Sequence, residues 1–183
     1  MLRRFLLVFI LLGCFWLNPV WAKTPRPLAE VPIHTTTGQK ISLKEYHAKV
    51  VLFVVFSTSC GDCVQTIQLM SKMQQDYGPF GFQAVAAAGD DNAKFQVALF
   101  MDRYRPSFPI GYLDQEEIIK LCDVPKGMRP FVPIALFIDQ KNMVRFQYYG
   151  DNAFFKQEDH GMRSLVEGLL REAGAKIRFG EKK

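Results

Sequence analysis

The sequence predicts an α/β sandwich, in which helices pack against a mixed β-sheet. Three observations favour this fold class. Strand-like apolar segments alternate with amphipathic helical segments along most of the chain, which is typical of α/β domains. One of the strand-like segments, Val50–Phe56, contains only apolar residues, as expected of a strand that is covered on both faces. The length of 183 residues fits one domain with its own hydrophobic core.

Residues 1–22 are predicted to be an export signal and not part of the folded domain. A short positive start precedes an apolar run, and Val20–Ala22 is typical of a signal cleavage site. An uncleaved membrane anchor is one alternative, because the apolar stretch approaches the length of a membrane span. Lipidation of Cys14, which lies in a sequence similar to a bacterial lipobox, is another. We therefore expect an extracytoplasmic, for example periplasmic, domain over residues 23–183.

The first half of this domain is predicted to contain a small hairpin and then a strand followed by a helix. Short apolar pieces at residues 31–33 and 41–43 flank a turn. The central strand Val50–Phe56 leads through Ser57–Ser59, which are residues of N-cap type, into a helix that ends at Gly78. The buried face of this helix is predicted from apolar residues at helical spacing: Ile67, Met70, Met73 or Gln74, and Tyr77.

The following elements continue the alternation of strands and helices. Phe82–Ala88 is predicted to be a second buried strand, and residues 108–113 a short third one. Between them lies a helix that carries the apolar residues Phe95, Leu99 and Met101. Residues 114–122 are predicted to form a brief helix whose inward-facing residues are Ile118, Ile119 and Leu121.

The last part of the domain is predicted to be a β-hairpin and a terminal helix. Two strands, Pro133–Asp139 and Met143–Tyr149, surround a polar turn. The terminal helix ends at Gly174. Its buried stripe is predicted to consist of Met162, Leu165, Val166, Leu169 and Leu170.

The motif with chemical content is Cys60-Gly61-Asp62-Cys63, at the predicted junction between the central strand and its helix. Unpaired backbone N–H groups and the helix dipole at such a junction favour a thiolate at Cys60. Cys63 lies about one helical turn further on, where it can close a small, reactive disulfide. Both cysteines are therefore candidate catalytic residues for dithiol exchange. Asp62 is a candidate for tuning the ionisation of the thiols.

A structural disulfide and half of a zinc site are the alternatives for this motif. Zinc would need two more ligands, and the sequence offers only Cys122 and three isolated histidines, so we expect neither a metal nor another cofactor. Cys122 ends an apolar helical stretch and is predicted to be a buried small side chain. The formal charge of +5, or +3 without the two arginines of residues 1–22, is scattered, so no nucleic-acid partner is expected.

With its surroundings, the motif resembles the thioredoxin-fold family of exported thiol-disulfide oxidoreductases of the TlpA/ResA type. The matching segments besides the motif are Gly38–Leu43, Lys49–Phe53 and Val132–Asp139, and the resemblance covers roughly residues 31–170. It implies a thioredoxin-like three-layer sandwich, with a mixed central sheet, helices on both faces and an N-terminal strand extension.

The resemblance also implies an enzyme that reduces disulfides of extracytoplasmic proteins, with Cys60 as nucleophile and Cys63 as resolving thiol. In that family the proline matching Pro133 is cis and faces the dithiol, and the residue matching Val132 offers its backbone to the bound peptide. A membrane thiol electron donor would keep the pair reduced. Two other functions stay open: a thiol peroxidase, because Ser57 lies three residues before Cys60, and a dithiol metal carrier or assembly chaperone.

Several positions depart from the family pattern. Ser59 replaces the usual tryptophan before the first cysteine, and the carboxylate that many members carry three residues after the second cysteine is Thr66. The buried aspartate of thioredoxin would fall on Val54. The usual proton-transfer group is therefore missing, and Asp62 or water is expected to replace it. Residues 123–131 form a longer segment than usual, which either sets partner choice or is a surface loop.

Overall fold

The computed structural model of the chain describes residues 24–128 and 130–176. The predicted export signal, its cleavage site and the alternative at Cys14 lie outside the described residues, as does Arg129. Among the helices that the structure describes, none is both long enough and apolar enough to cross a bilayer.

A mixed sheet of eight strands forms the centre of the domain. The strands are β1 (Arg26–Pro27), β2 (Ile33–His34), β3 (Lys40–Ile41), β4 (Val50–Phe56), β5 (Phe82–Ala88), β6 (Ile110–Tyr112), β7 (Ile134–Ile138) and β8 (Met143–Tyr148). Their spatial order is β1-β8-β7-β4-β5-β6-β2-β3. Strand β5 is parallel to β4 and β6, whereas the remaining neighbours pair antiparallel. The predicted mixed sheet is confirmed, and its N-terminal strand extension is present as the predicted β2–β3 hairpin, whereas β1 was not predicted to be a strand.

Helices cover both faces of this sheet. They are α1 (Gly61–Tyr77), α2 (Ala93–Tyr104), α3 (Gln115–Cys122) and α4 (Glu158–Glu172), and 3-10 turns occupy Leu43–Tyr46, Gly78–Phe80 and Ala153–Gln157. Helices α1, α2 and α4 bury their apolar side chains in the core on one face, and α3 contributes to the core on the other. The predicted three-layer sandwich is therefore confirmed.

Strand β4 is central because every one of its residues is buried. Alternate side chains of a strand point to opposite faces, so Leu52, Val54 and Phe56 join the core beneath α1, α2 and α4. Val51, Phe53 and Val55 join the core on the α3 side. The register pairs Val55 with Ile134 of β7, which brings the start of β7 beside the end of β4. That end of β4 leads directly into the dithiol motif.

The buried face of α3 differs from the expected one, and α2 exposes two of the apolar residues that it carries. Phe95 and Leu99 of α2 are 75% and 73% exposed, because the helix turns Ala93, Val97 and Phe100 towards the sheet. In α3, the prediction that Ile119 faces inward is wrong. Its side chain is 42% exposed, whereas Ile118, Leu121 and Cys122 are buried.

Candidate active site

The dithiol lies at the first turn of α1, where Cys60 itself is the N-cap residue. Its backbone is extended, with φ −88° and ψ 117°, and its Sγ accepts a hydrogen bond from the Cys63 N–H at 3.2 Å. The prediction that Ser57–Ser59 caps the helix is therefore wrong, since those residues form the connection before it. The Cys60 sulfur occupies the place that a serine or aspartate oxygen takes at other helix starts. One otherwise unpaired N–H of the helix thus points at the candidate nucleophile.

The two cysteines of the motif differ in their surroundings. Cys60 is half-buried, and Cys63 has 0% exposure. Burial, followed by the side-chain hydrogen bond with Cys60, raises the pKa of Cys63 far above its ordinary value, although a backbone hydrogen bond with Ser57 opposes this effect. Cys63 is therefore a protonated thiol at neutral pH, and Cys60 is the cysteine that a partner can reach.

Cys122 does not belong to this site. Cys63 lies in the core beneath α1, whereas Cys122 lies in the core on the opposite face of the sheet. Burial raises the pKa of Cys122 to about 12, and its exposure is 0%. The prediction of a buried small side chain is confirmed.

The connection between β4 and α1 is held by Asp90, which follows β5. Asp90 Oδ2 accepts hydrogen bonds from the Thr58 N–H and the Thr58 hydroxyl, each at 2.8 Å. Parallel strands β4 and β5 end at the same edge of the sheet, which is why these two residues meet. This role of Asp90 was not predicted from the sequence. A carboxylate at the end of a strand adjacent to β4 is the signal that could have identified its role.

The Val132–Pro133 peptide bond is cis and comes directly before β7, whose first residue pairs with Val55 near the end of β4. Val132 and Ser57 line one cleft of about 620 Å³, whose walls also include Ile119 and Met128. Pro133 and Asp62 line a second cleft of about 210 Å³. The two residues predicted to bind substrate thus flank the segment that carries the cysteines. Their contact with a bound peptide stays a prediction.

Gly150 packs directly against the backbone of this cis segment. Its N–H donates a hydrogen bond to the Phe131 carbonyl at 2.9 Å. A Cβ atom at this position would lie 2.4 Å from the Val132 oxygen and 2.6 Å from the Val132 carbonyl carbon. Only glycine fits here without moving the backbone, because carbon atoms do not approach a carbonyl group that closely. The role of Gly150 was not predicted from the sequence.

A carboxyl group that the sequence analysis missed also lies at this site. Thr66 of α1 has 0% exposure, and its hydroxyl lies 2.7 Å from Glu158 Oε2 at the start of α4. Burial is the main cause that raises the pKa of Glu158, and the carboxylates of Asp62 and Asp159 raise it further. Thr66 itself was the available signal in the sequence. It is a polar residue within the buried stripe of α1, and a buried hydroxyl needs a hydrogen-bond partner.

The described residues, 24–128 and 130–176, contain no group of three histidine, cysteine, aspartate or glutamate side chains that could hold a metal ion. The arrangement that they do contain is an accessible thiol, a buried protonated thiol, a cis proline and a half-buried carboxyl group. This arrangement has the parts that thiol-disulfide exchange requires.

Comparison with known proteins agrees with this geometry. The sequence model of the AhpC/TSA family matches residues 23–147, which is more than half of the chain. The chain belongs to the AhpC/TSA family. Within the AhpC/TSA match lie both cysteines of the motif and the Val132–Pro133 segment, whereas Gly150 and Glu158 lie beyond it.

Two curated relatives of this AhpC/TSA-family chain carry names that agree with the predicted resemblance. The chain is 28% identical over 119 residues to the thioredoxin-like protein YneN of Bacillus subtilis, covering 64% of this chain and 66% of that protein. It is 28% identical over 103 residues to the thiol-disulfide oxidoreductase ResA of Halalkalibacterium halodurans, covering 56% of this chain and 55% of that protein. The matches thus span less than two thirds of each relative. The predicted resemblance to thioredoxin-fold proteins of this type is confirmed.

Solved structures show that the AhpC/TSA-family chain has a thioredoxin-like fold. A thiol:disulfide interchange protein of the thioredoxin family from Chlorobium tepidum superimposes with a TM-score of 0.65 at 21% identity, covering 81% of this chain and 98% of that one. A DsbF homologue from Corynebacterium diphtheriae superimposes with a TM-score of 0.66 at 16% identity, and the match covers 86% of this chain and 100% of that one.

Proposed function

We propose that this chain is a thiol-disulfide oxidoreductase that reduces disulfides in proteins outside the cytoplasm. The observation that carries the proposal is the contrast between the two cysteines. Cys60 is accessible and receives a helix N–H, whereas Cys63 is buried and protonated. A nucleophile and a resolving thiol need these two environments. The names of the two curated relatives support the same class of reaction.

The mechanism has two exchange steps. The Cys60 thiolate attacks a substrate disulfide, and a mixed disulfide forms as one substrate sulfur leaves as a thiolate. Cys63 then loses its proton and attacks Cys60 Sγ, which releases the second substrate sulfur and leaves a Cys60–Cys63 disulfide. The clefts beside Val132 and Pro133 are where the substrate chain would lie during both steps. A membrane thiol donor would return the pair to its reduced form.

The direction of electron flow is tested by the reduction potential. The helix N–H that donates to Cys60 Sγ favours the reduced pair, whereas the negative charge of the exposed Asp62 disfavours it, so the two effects on the reduction potential offset each other. Equilibration with glutathione buffers is therefore expected to give a potential nearer to about −270 mV, as in thioredoxin, than to about −120 mV, as in DsbA. Asp62→Asn should raise the potential by on the order of 10–20 mV, because an exposed charge acts weakly.

Asp102→Asn, which removes an exposed carboxylate from α2, is the matched control and should leave the potential unchanged. A wild-type potential close to that of DsbA would contradict a reductase. A downward shift in Asp62→Asn would contradict the charge argument.

Two other functions make different predictions in solution. A thiol peroxidase would consume hydrogen peroxide faster than it reduces insulin, and a metal carrier would bind a thiophilic metal through Cys60 and Cys63. Parallel insulin-reduction, peroxide-consumption and metal-titration assays therefore separate the three functions, and we expect insulin reduction to dominate. The peroxidase alternative rests on Ser57, three residues before Cys60. In the structure, the Ser57 hydroxyl pairs with Ser59 Oγ at 3.0 Å.

Export is the part of the proposal that concerns residues 1–22. We expect the protein to be cleaved after Ala22, since that residue ends the predicted cleavage site. Mass spectrometry of the protein purified from an exporting host should find Lys23 as the first residue. A lipid on Cys14, or an intact amino terminus in the membrane fraction, would show instead that the domain is anchored.

A further inference from the structure

Glu158 is a half-buried carboxyl group that contacts the helix carrying the dithiol. It begins α4 and lines the cleft of about 210 Å³ together with Asp62 and Pro133. Its side chain is half-buried, so one part contacts the protein while another faces the cleft. Of the acidic residues that line this cleft, Glu158 has its carboxyl group anchored to the helix that carries the dithiol.

The anchor is the Thr66 hydroxyl, and its geometry suits a protonated carboxyl group. Thr66 Oγ1 lies 2.7 Å from Glu158 Oε2 and 3.1 Å from the Asp62 carbonyl oxygen. A hydroxyl has one hydrogen and can donate fully to only one of these two acceptors. If Glu158 carries a proton, it donates to Thr66 Oγ1, and Thr66 donates to the Asp62 carbonyl. Both contacts then become complete hydrogen bonds.

Burial and the neighbouring carboxylates also favour the protonated form of Glu158. Burial raises the pKa of Glu158 most, the Thr66 hydrogen bond lowers it, and the nearby carboxylates of Asp62 and Asp159 raise it, so that the pKa lies above its ordinary value. The same cleft is lined by Asp151 and by one cation, Lys156. A carboxyl group that holds its proton closer to neutral pH is a more effective proton donor there.

We propose that Glu158 is a general acid of the exchange reaction, which protonates the first thiolate that leaves the substrate. The assignment rests on the proposed function. It would be a catalytic role, because Glu158 shares its cleft with Pro133, which is proposed to bind the substrate, and with Asp62 of the dithiol motif.

The proton and electron balance is as follows. The Cys60 thiolate forms a bond to one substrate sulfur, the substrate S–S bond breaks, and its electron pair stays on the leaving sulfur. That sulfur takes the Glu158 proton and departs as a thiol. Cys63 releases one proton before its own attack. The total number of protons is therefore balanced, because Glu158 gives up one proton in the first step and Cys63 releases one in the second. The substrate disulfide gains two electrons and the protein dithiol loses two, so no other oxidant or reductant is needed.

The test compares two disulfides whose leaving groups differ in their need for a proton. Bis(2-hydroxyethyl) disulfide releases an alkyl thiolate, and alkyl thiols have pKa values above neutrality, about 8.5 for cysteine. 5,5′-Dithiobis(2-nitrobenzoate) releases an aromatic thiolate that is stable without a proton. Glu158→Gln should reduce the rate of attack on the alkyl disulfide by at least about tenfold and leave the aromatic reaction nearly unchanged.

Glu116→Gln, the same change at an exposed carboxylate in the first turn of α3, is the matched control and should behave as wild type. In wild type, the ratio of alkyl to aromatic rates should fall as pH rises through the titration of Glu158, and in Glu158→Gln it should be flat. A structural role for Glu158 would not produce this pH dependence.

Each outcome decides the assignment. Equal losses on both disulfides would show that Glu158 only supports the fold, and no loss on either would show that it takes no part; both overturn the proposal. A wild-type chain that reduces neither disulfide would overturn the proposed function, and this assignment with it. A wild-type chain that reduces both, with Glu158→Gln slow only on the alkyl disulfide, supports both.

Discussion

Cys63→Ser is expected to make mixed disulfides with substrate proteins accumulate on Cys60. The half-buried Cys60 can still attack, but the buried thiol that resolves the mixed disulfide is gone. Turnover in an insulin-reduction assay should fall to background. Non-reducing gels of the variant, expressed in a cell and alkylated at lysis, should show bands of higher mass that disappear on reduction.

Cys60→Ser should also lose turnover but should trap no substrate protein. The thiol that remains in the motif, Cys63, has 0% exposure and a strongly raised pKa. Cys122→Ala is the control for removal of a thiol, and we expect it to retain turnover, since Cys122 lies on the other face of the sheet. Equal trapping by Cys60→Ser and Cys63→Ser would contradict the assignment of the nucleophile.

Gly150→Ala is expected to damage both stability and substrate exchange. The added Cβ would meet the Val132 carbonyl group at 2.4–2.6 Å, so the Val132–Pro133 segment must move. Overpacking of this kind costs roughly 1–3 kcal/mol of the free energy of unfolding. Urea denaturation measures that loss. Insulin reduction should show a raised KM, because the displaced segment is the one proposed to contact the substrate.

The matched control is Gly168→Ala, the same change within α4 at a position where the added Cβ meets nothing within 4 Å. It should stabilise the protein by about 0.5–1 kcal/mol, as alanine does in place of glycine inside a helix. If Gly150→Ala were as stable and as active as this control, the tight packing against Val132 would have no consequence.

The elements that the sequence predicts well are those whose pattern is local. Val50–Phe56 and Phe82–Ala88 are strands with the predicted bounds, because a short and mostly apolar run between turn residues fits a strand that is buried on both faces. The face that a helix buries depends less on its local sequence pattern. Phe95, Leu99 and Ile119 are exposed because the position of α2 and α3 on the sheet decides which side turns inward. In α2, Ala93, Val97 and Phe100 pack against the sheet instead.

The candidate site divides in the same way. Cys60, Cys63 and the cis Val132–Pro133 bond were predicted, since a short motif or a family resemblance identifies them. Glu158 was not, because 92 residues separate it from Thr66 along the chain and only the packing of α4 against α1 brings them together. From the sequence, Asp62 or water was expected to replace the missing carboxylate, and Glu158 is the group that we propose in their place.

The cap of α1 has a thermodynamic consequence. The Cys63 N–H donates to Cys60 Sγ, and a thiolate accepts such a bond more strongly than a sulfur in a disulfide does. The potential of the folded pair and the folding free energies of its two redox forms belong to one closed cycle, in which 30 mV corresponds to about 1.4 kcal/mol. Any substitution that strengthens this cap stabilises the reduced fold relative to the oxidised one and makes the pair a stronger oxidant by the same free energy. If the pair is a reductant, as we propose, the same cycle makes the disulfide form the more stable fold of the two, so reduction of the pair lowers the free energy of unfolding.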